Sequence, residues 1–264
     1  MPSSSPRHGV LLEVAYDGTA FSGWATQRDR RTVQDTLRGA VLALDPEASP
    51  VRGASRTDAG VHAEGQLAAF DTTRAIPARG WVLGLNQHLP DDVAVRTARD
   101  VPADLNPRFA SRGKRYRYRV LLDMVRDPAW RTRAWRVGGR VDLERLAREA
   151  TLIVGTHDFA GFRAGGDERK ITVRTMRRVT VERAQDDRIV SVIIEGDAFL
   201  YNMVRILVGT LMYVACGRME EGAITRAIAG KDRRLAGTTA PAHGLTLEHV
   251  QVELPQEVGG RWPP

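Results

Sequence analysis

The succession of apolar alternation and helical periodicity along the chain constrains its fold more than any other feature. Val10, Leu11, Leu12 and Val14 mark a strand over Gly9 to Tyr16, closed by the turn residues Asp17-Gly18-Thr19. Thr32 is placed to cap a helix to about Leu44, with Val33, Leu37, Ala40, Val41 and Leu44 on one face. Pro46 to Pro50 end it, and strands follow over Val51 to Ala54 and Leu67 to Thr72. Trp81, Leu85 and Leu89 give a short helix stopped by Pro90, and Asp92 to Thr97 a last strand. The pattern then repeats after a connector over Pro102 to Gly113. A strand over Arg115 to Leu122 precedes a helix capped by Asp142, with Leu143, Leu146, Ala150 and Ile153 on one face. Strands over Ile171 to Glu182 and Arg188 to Glu195 meet at Ala184-Gln185-Asp186-Asp187. Helices over Phe199 to Ala215 and Glu220 to Ala229 lead to a final strand, Leu245 to Val252. Each half reads β-α-β-β-α-β, with one extra helix in the second.

That order predicts an α+β protein of two ferredoxin-like (RRM-like) units with mainly antiparallel sheets. The sheets are expected side by side, helices on one side, with an active-site cleft between the units. The expected division is a tail over 1–8, a first unit over 9–105, a second over 106–254 and a tail over 255–264. The halves share no sequence repeat, so the duplication rests on element order alone.

A chain of 264 residues with 42% apolar content can bury a substantial core. No apolar run is long enough to span a bilayer, and the opening Met1-Pro2-Ser3-Ser4-Ser5-Pro6 lacks the apolar stretch of a signal peptide. The single Cys216 excludes an intrachain disulfide and a multi-cysteine metal cage. A cytoplasmic protein is the expectation. The net charge of +7 and pI near 10.1 favour a polyanionic partner. Only Lys114, Lys170 and Lys231 are lysines, but the arginines are spread over the whole chain and mark no patch.

Two stretches stand out chemically. From Gly53 to Gln66, glycines and small residues surround Arg56-Thr57-Asp58, with His62 four residues beyond the carboxylate. Such a loop brings backbone and an acid close to a ligand, where a lone Asp would ordinarily serve a turn. The second stretch is the helix from Phe199, apolar nearly all round and therefore buried, with Arg205 as its only charge. Asn202, Arg205 and Gly209 form a narrow polar stripe at i, i+3 and i+7. A buried arginine requires an acid. A local one such as Asp197 and a distant one, Asp58, both remain open.

These residues resemble the tRNA pseudouridine synthase A family. The signature is Arg56-Thr57-Asp58-Ala59-Gly60-Val61-His62-Ala63 with Gly65-Gln66 and Phe70. In order along the chain lie Tyr16-Asp17-Gly18-Thr19, Gly23-Trp24, Leu85-Asn86, Leu89-Pro90, Arg108-Phe109, Arg115-Tyr116-Arg117-Tyr118, His157-Asp158-Phe159 and Phe162-Arg163. Phe199-Leu200-Tyr201, Met203-Val204-Arg205, Val208-Gly209, Ala240-Pro241-Ala242 and Gly244-Leu245 complete the match. The chain departs from the pattern at Ala25, Ser55, Asn106-Pro107 and Asp197. The resemblance implies a cofactor-free, metal-free isomerase that converts uridine to pseudouridine at positions 38, 39 and 40 of the tRNA anticodon stem-loop. It implies Asp58 as the nucleophile, Tyr116 against the base and Arg205 as the partner of Asp58. It also implies Arg56, Gln66, Arg108, Arg163 and Leu245 at the RNA, tRNA as partner, and a homodimer with no membrane. Without the resemblance, Tyr116 reads as a half-buried strand tyrosine; with it, His62 is read as a loop-packing residue rather than an acid-base group. A non-catalytic RNA-binding module is the competing class, and the absence of a sheet-borne aromatic RNA motif counts against it.

Overall fold

The computed structural model describes residues 7–166, 169–254 and 261–262. The elements in chain order are β1 (His8–Tyr16), α1 (Val33–Leu44), β2 (Arg52–Gly53), β3 (His62–Thr72), α2 (Ala78–His88), β4 (Val93–Val101) and α3 (Pro107–Ala110). Next come β5 (Ser111–Leu122), β6 (Trp135–Val137), α4 (Leu143–Thr151), β7 (Gly155–Asp158), β8 (Val173–Arg183), β9 (Ile189–Gly196), α5 (Met203–Ala215) and α6 (Ala223–Gly230). The last are β10 (Leu245–Val252) and β11 (Arg261–Trp262). The protein is thus α+β. It divides into two compact units, one of residues 1–112 and 247–264, the other of residues 113–246. Element order had placed the whole of the last strand in the second half, whereas its residues from Leu247 onward pack with the first unit. Of the two stretches read as tails, residues 1–6, 255–260 and 263–264 lie outside the described residues. His8 opens β1, and Arg261 and Trp262 pair with β4.

In the first unit β1 is central. It pairs antiparallel with β3 in the register Val10↔Phe70 and Leu12↔Ala68, and with β4 in the register Leu11↔Arg99 and Leu12↔Ala98. Beta-2 is only two residues long and lies on β3 at Ala68 and Ala69. Val10, Leu12, Val14 and Tyr16 are buried with Leu37 and Val41 of α1 and with Trp81 and Leu85 of α2. The Trp81 ring meets Phe70 edge-on at 5.0 Å between centroids, an arrangement that contributes about 1 kcal/mol beyond the area it buries. Thr32 caps α1 as the sequence indicates, its hydroxyl accepting from the Asp35 N–H. Beta-3 starts at His62, five residues before the alternation suggests. It is buried on both faces, and Ala63, Gly65, Ala68 and Ala69 are too small to show a period of two.

In the second unit the strand order is β5-β9-β8-β7, antiparallel throughout, with short β6 parallel to the end of β5. Tyr116, Tyr118 and Val120 are buried on one face of β5, while Arg115, Arg117 and Arg119 alternate with them and are half-buried. Arg115 pairs with Glu195 across the register at 3.0 Å. Helix α5 is buried nearly all round, as its composition demands. The start of α6 is held from α4: the buried Glu149 carboxylate accepts from the Gly222 and Ile224 N–H groups at 2.8 Å each. No described helix is long and apolar enough to cross a membrane.

Candidate active site

The Asp58 loop runs between β2 and β3. The Asp58 carbonyl accepts from the Val61 N–H at 3.1 Å, closing a turn with Gly60 at its third position and φ +79°, a conformation that glycine adopts without strain. Asp58 itself is partly exposed, Arg56 is exposed, and Ser55, Thr57, Val61 and His62 are buried around them.

The flanks of the carboxylate are pinned in sequence. The Gln66 amide makes a two-way clamp on Ser55, accepting from its N–H at 3.1 Å and donating to its carbonyl at 2.7 Å. The Thr57 hydroxyl meets the Tyr16 hydroxyl at 2.6 Å, and the Thr57 carbonyl accepts from the Trp24 N–H at 3.0 Å. The Gly60 N–H donates to the Phe21 carbonyl, and the Gly18 N–H donates to His62 Nδ1 at 3.1 Å. Two glycines let the chain after β1 approach this closely. A Cβ on Gly18 would lie 2.0 Å from the Val61 carbonyl oxygen, and one on Gly23, at φ +100°, 2.7 Å from that of Thr57. His62, almost wholly buried, holds the loop together.

The incoming limb has its own anchor. Arg52 of β2 pairs bidentately with the buried Asp71 of β3 at 2.7 and 2.8 Å, and its Nε donates to the Leu105 carbonyl. Burial alone would raise the Asp71 carboxyl. Arg52, the Asp104 N–H and the Ser49 hydroxyl outweigh it and hold the group below the usual carboxylate range.

In the second unit, Tyr116 is buried with its ring edge-on to Phe199 at 5.1 Å. Tyr118 is fully buried, and its hydroxyl donates to the Pro241 carbonyl at 2.7 Å. Burial raises its phenol far above the ordinary value, with the Arg205 charge opposing, so it stays a neutral donor. Arg205 differs from its sequence reading. Helix α5 begins at Met203 rather than Phe199, so Arg205 falls in the first turn and is only half-buried. Asn202 breaks the helix there by taking a left-handed conformation, φ 58° and ψ 7°. The Arg205 guanidinium donates from Nη1 to Asn202 Oδ1 at 2.6 Å and from Nε to the Ala240 carbonyl at 2.8 Å. A left-handed residue with a Cβ costs up to about 1–2 kcal/mol, less for Asn than for most, and a hydrogen bond to a charged group returns about 1.5–3 kcal/mol. The balance permits the strained start. Burial lowers the His243 imidazole, the Ala134 backbone opposes, and the Arg205 charge adds to the lowering. Asp197 accepts from the Thr175 and Ala198 N–H groups.

The remaining candidates are placed as follows. Arg108 is exposed on α3, a short helix capped by Asn106 with Pro107 at its first position. The departure at Asn106-Pro107 therefore forms a helix start. Arg163, half-buried, donates to the Arg169 carbonyl, and Arg169 in turn donates to the carbonyl of Phe199, the residue that packs on Tyr116. Leu245 is buried at the head of β10. Among the described residues no cluster of His, Cys, Asp or Glu could hold a metal ion. Sequence alone gives Tyr16 and Asn202 no structural role, Asn202 standing only in the polar stripe with Arg205 and Gly209. Tyr16 lies 41 positions from Thr57, and only the register of β1 on β3 reveals its role.

A family model described as tRNA pseudouridine synthase matches residues 13–110 and 150–252. A tRNA pseudouridine synthase A of Acetivibrio thermocellus is 44% identical over 241 residues, covering 91% of this chain and 98% of that protein. Proteins of the same name from Citrifermentans bemidjiense and Myxococcus xanthus are 42% and 43% identical, covering 91% and 93% of this chain and 96% and 91% of theirs. The chain belongs to the tRNA pseudouridine synthase family, and with it to the isomerases.

Proposed function

We propose that this protein converts uridine to pseudouridine in tRNA, at positions 38, 39 and 40 of the anticodon stem-loop, with Asp58 as the nucleophile and without metal or cofactor. The observation that carries the assignment is the Asp58 turn: a partly exposed carboxylate on a loop whose neighbours on both sides are fixed. The tRNA substrate rests on the family and on the names of the relatives, and the nucleotide positions rest on the motif resemblance.

The reaction is an isomerisation. The bond from uracil N1 to the sugar C1′ breaks, a bond from C5 to C1′ forms, C5 loses its proton and N1 gains one. An aspartate can start this by adding to C1′, by adding to C6 of the base, or by taking a sugar proton. Each route needs an ionised carboxylate at a uridine withdrawn from its stack. A rigid backbone around Asp58 keeps the carboxylate aimed while the uracil is detached and turned. Tyr116 is assigned to the base and Arg205 to the charge of Asp58. Arg56, Arg108 and Arg163, with Leu245, are assigned to the RNA, while the buried Gln66 is assigned to holding Ser55. The assembly is a cytoplasmic homodimer of chains each built from two ferredoxin-like units.

The test is tritium release from tRNA labelled at C5 of uridine, followed by mapping of pseudouridine in the product. Release after dialysis against a chelator, with pseudouridine confined to the anticodon arm, supports the reading. Pseudouridine elsewhere in the tRNA, or a requirement for added metal or nucleotide, refutes the corresponding part of it.

A further inference from the structure

We propose that Asn202 is a positioning residue for Arg205, setting the plane of its guanidinium before any substrate binds. The proposal rests on the assignment of Arg205 to the reaction made above. An Asn at a helix N-cap ordinarily accepts from a backbone N–H of the first turn. Asn202 makes no such cap bond. Its Oδ1 accepts instead from the side chain of Arg205, three residues on, at 2.6 Å. The left-handed backbone at Asn202 is what accompanies this geometry, and Asn is among the few residues that adopt it readily.

The second bond is built with equal care. Arg205 Nε donates to the Ala240 carbonyl at 2.8 Å, and the Ala240 N–H returns a bond to the Arg205 carbonyl at 3.1 Å. The segment bearing Ala240 reaches the helix because position 209 is glycine, where a Cβ would lie 1.8 Å from the Thr238 carbonyl oxygen. Thr210 reinforces the approach by accepting from the Gly237 N–H at 2.8 Å. The polar stripe of Asn202, Arg205 and Gly209 on an otherwise apolar helix thereby acquires one purpose. Asn202 and Ala240 hold two different nitrogens of the guanidinium, and Gly209 admits the second holder.

Local rules are broken in two ways here. A cation sits in the first turn of a helix, against the macrodipole, and the residue that starts the helix is left-handed. Such departures gather where a side chain must be aimed.

Glycine at 202 separates the two contributions, because it tolerates φ 58° and removes only the acceptor. In steady-state tritium release, Asn202→Gly is expected to lower kcat by about 30-fold, in the range a small misplacement costs. KM for tRNA should stay within about twofold and the melting temperature should hold, since the chain still folds and binds. Asn202→Asp keeps the oxygen and the left-handed backbone, and should bring kcat to within about threefold of the parent. Adding Asn202→Gly to Arg205→Ala should cost nothing more than Arg205→Ala alone. An unchanged kcat in Asn202→Gly, an equal loss in both backgrounds, or an Asn202→Asp variant as slow as the glycine one would overturn the proposal. Arg205→Ala with full kcat would refute the assignment beneath it, a result read without any change at Asn202.

Discussion

The Asp58 loop and the start of α5 each hold one of the side chains proposed to act in the reaction, by opposite means. Around Asp58 the structure grips the neighbours. Ser55, Thr57, Gly60 and His62 are all bonded to Gln66, Tyr16, Trp24, Phe21 and Gly18. At Arg205 it grips the functional group itself, through Asn202 and Ala240. The difference follows from side-chain length. Aspartate has two torsions, so a fixed backbone nearly fixes its carboxylate. Arginine has a long flexible stem, and a fixed backbone leaves its guanidinium free to sample many rotamers. A distributed grip should fail gradually, and a direct one sharply.

The largest effect expected from the loop side is at its foot. Asp71→Ala strands Arg52 and should cost about 3–5 kcal/mol in denaturant unfolding. The ion pair also has a pH signature. Because the folded carboxyl lies below its unfolded value of about 3.9, its contribution is full above that pH. It is lost as the pH falls through the folded value, so the parent should lose stability more steeply than Asp71→Ala below about pH 4. Equal acid slopes would show that the pair contributes nothing.

Gln66→Leu removes both bonds to Ser55 and should cost about 1–3 kcal/mol, with kcat reduced about tenfold. A loss as large as that of Arg205→Ala would break the contrast between the two grips. The smallest change is Tyr16→Phe, which deletes one hydroxyl contact to Thr57. About 1 kcal/mol of stability and less than a fivefold fall in kcat are expected, because Trp24 and Gln66 still hold the loop.

Much of this was legible in the sequence, for identifiable reasons. Beta-1, α1, β5 and β9 carry apolar periods strong enough to read directly. Beta-6 and β7 are three and four residues long and carry no pattern. The apolar pattern extends α5 four residues too far because Phe199 and Leu200 continue its face, while the break depends on one backbone torsion at Asn202. Asp58 could be singled out from its own neighbourhood. Its supports could not, since Tyr16 reaches it through strand register and Trp24 through the close approach of the loop at Gly23. Asn202 carried a readable hint, a polar residue three before the lone charge of an apolar helix. Its meaning required the bond to be seen.

The fixed loop is proposed to aim the Asp58 carboxylate. Asp58→Asn tests it most directly, since it preserves shape and backbone while removing the charge. Tritium release from C5-labelled tRNA should fall by at least about 10³-fold, with thermal melting and tRNA binding unchanged. A variant that folds, binds tRNA and keeps its release rate within about tenfold of the parent would contradict the account.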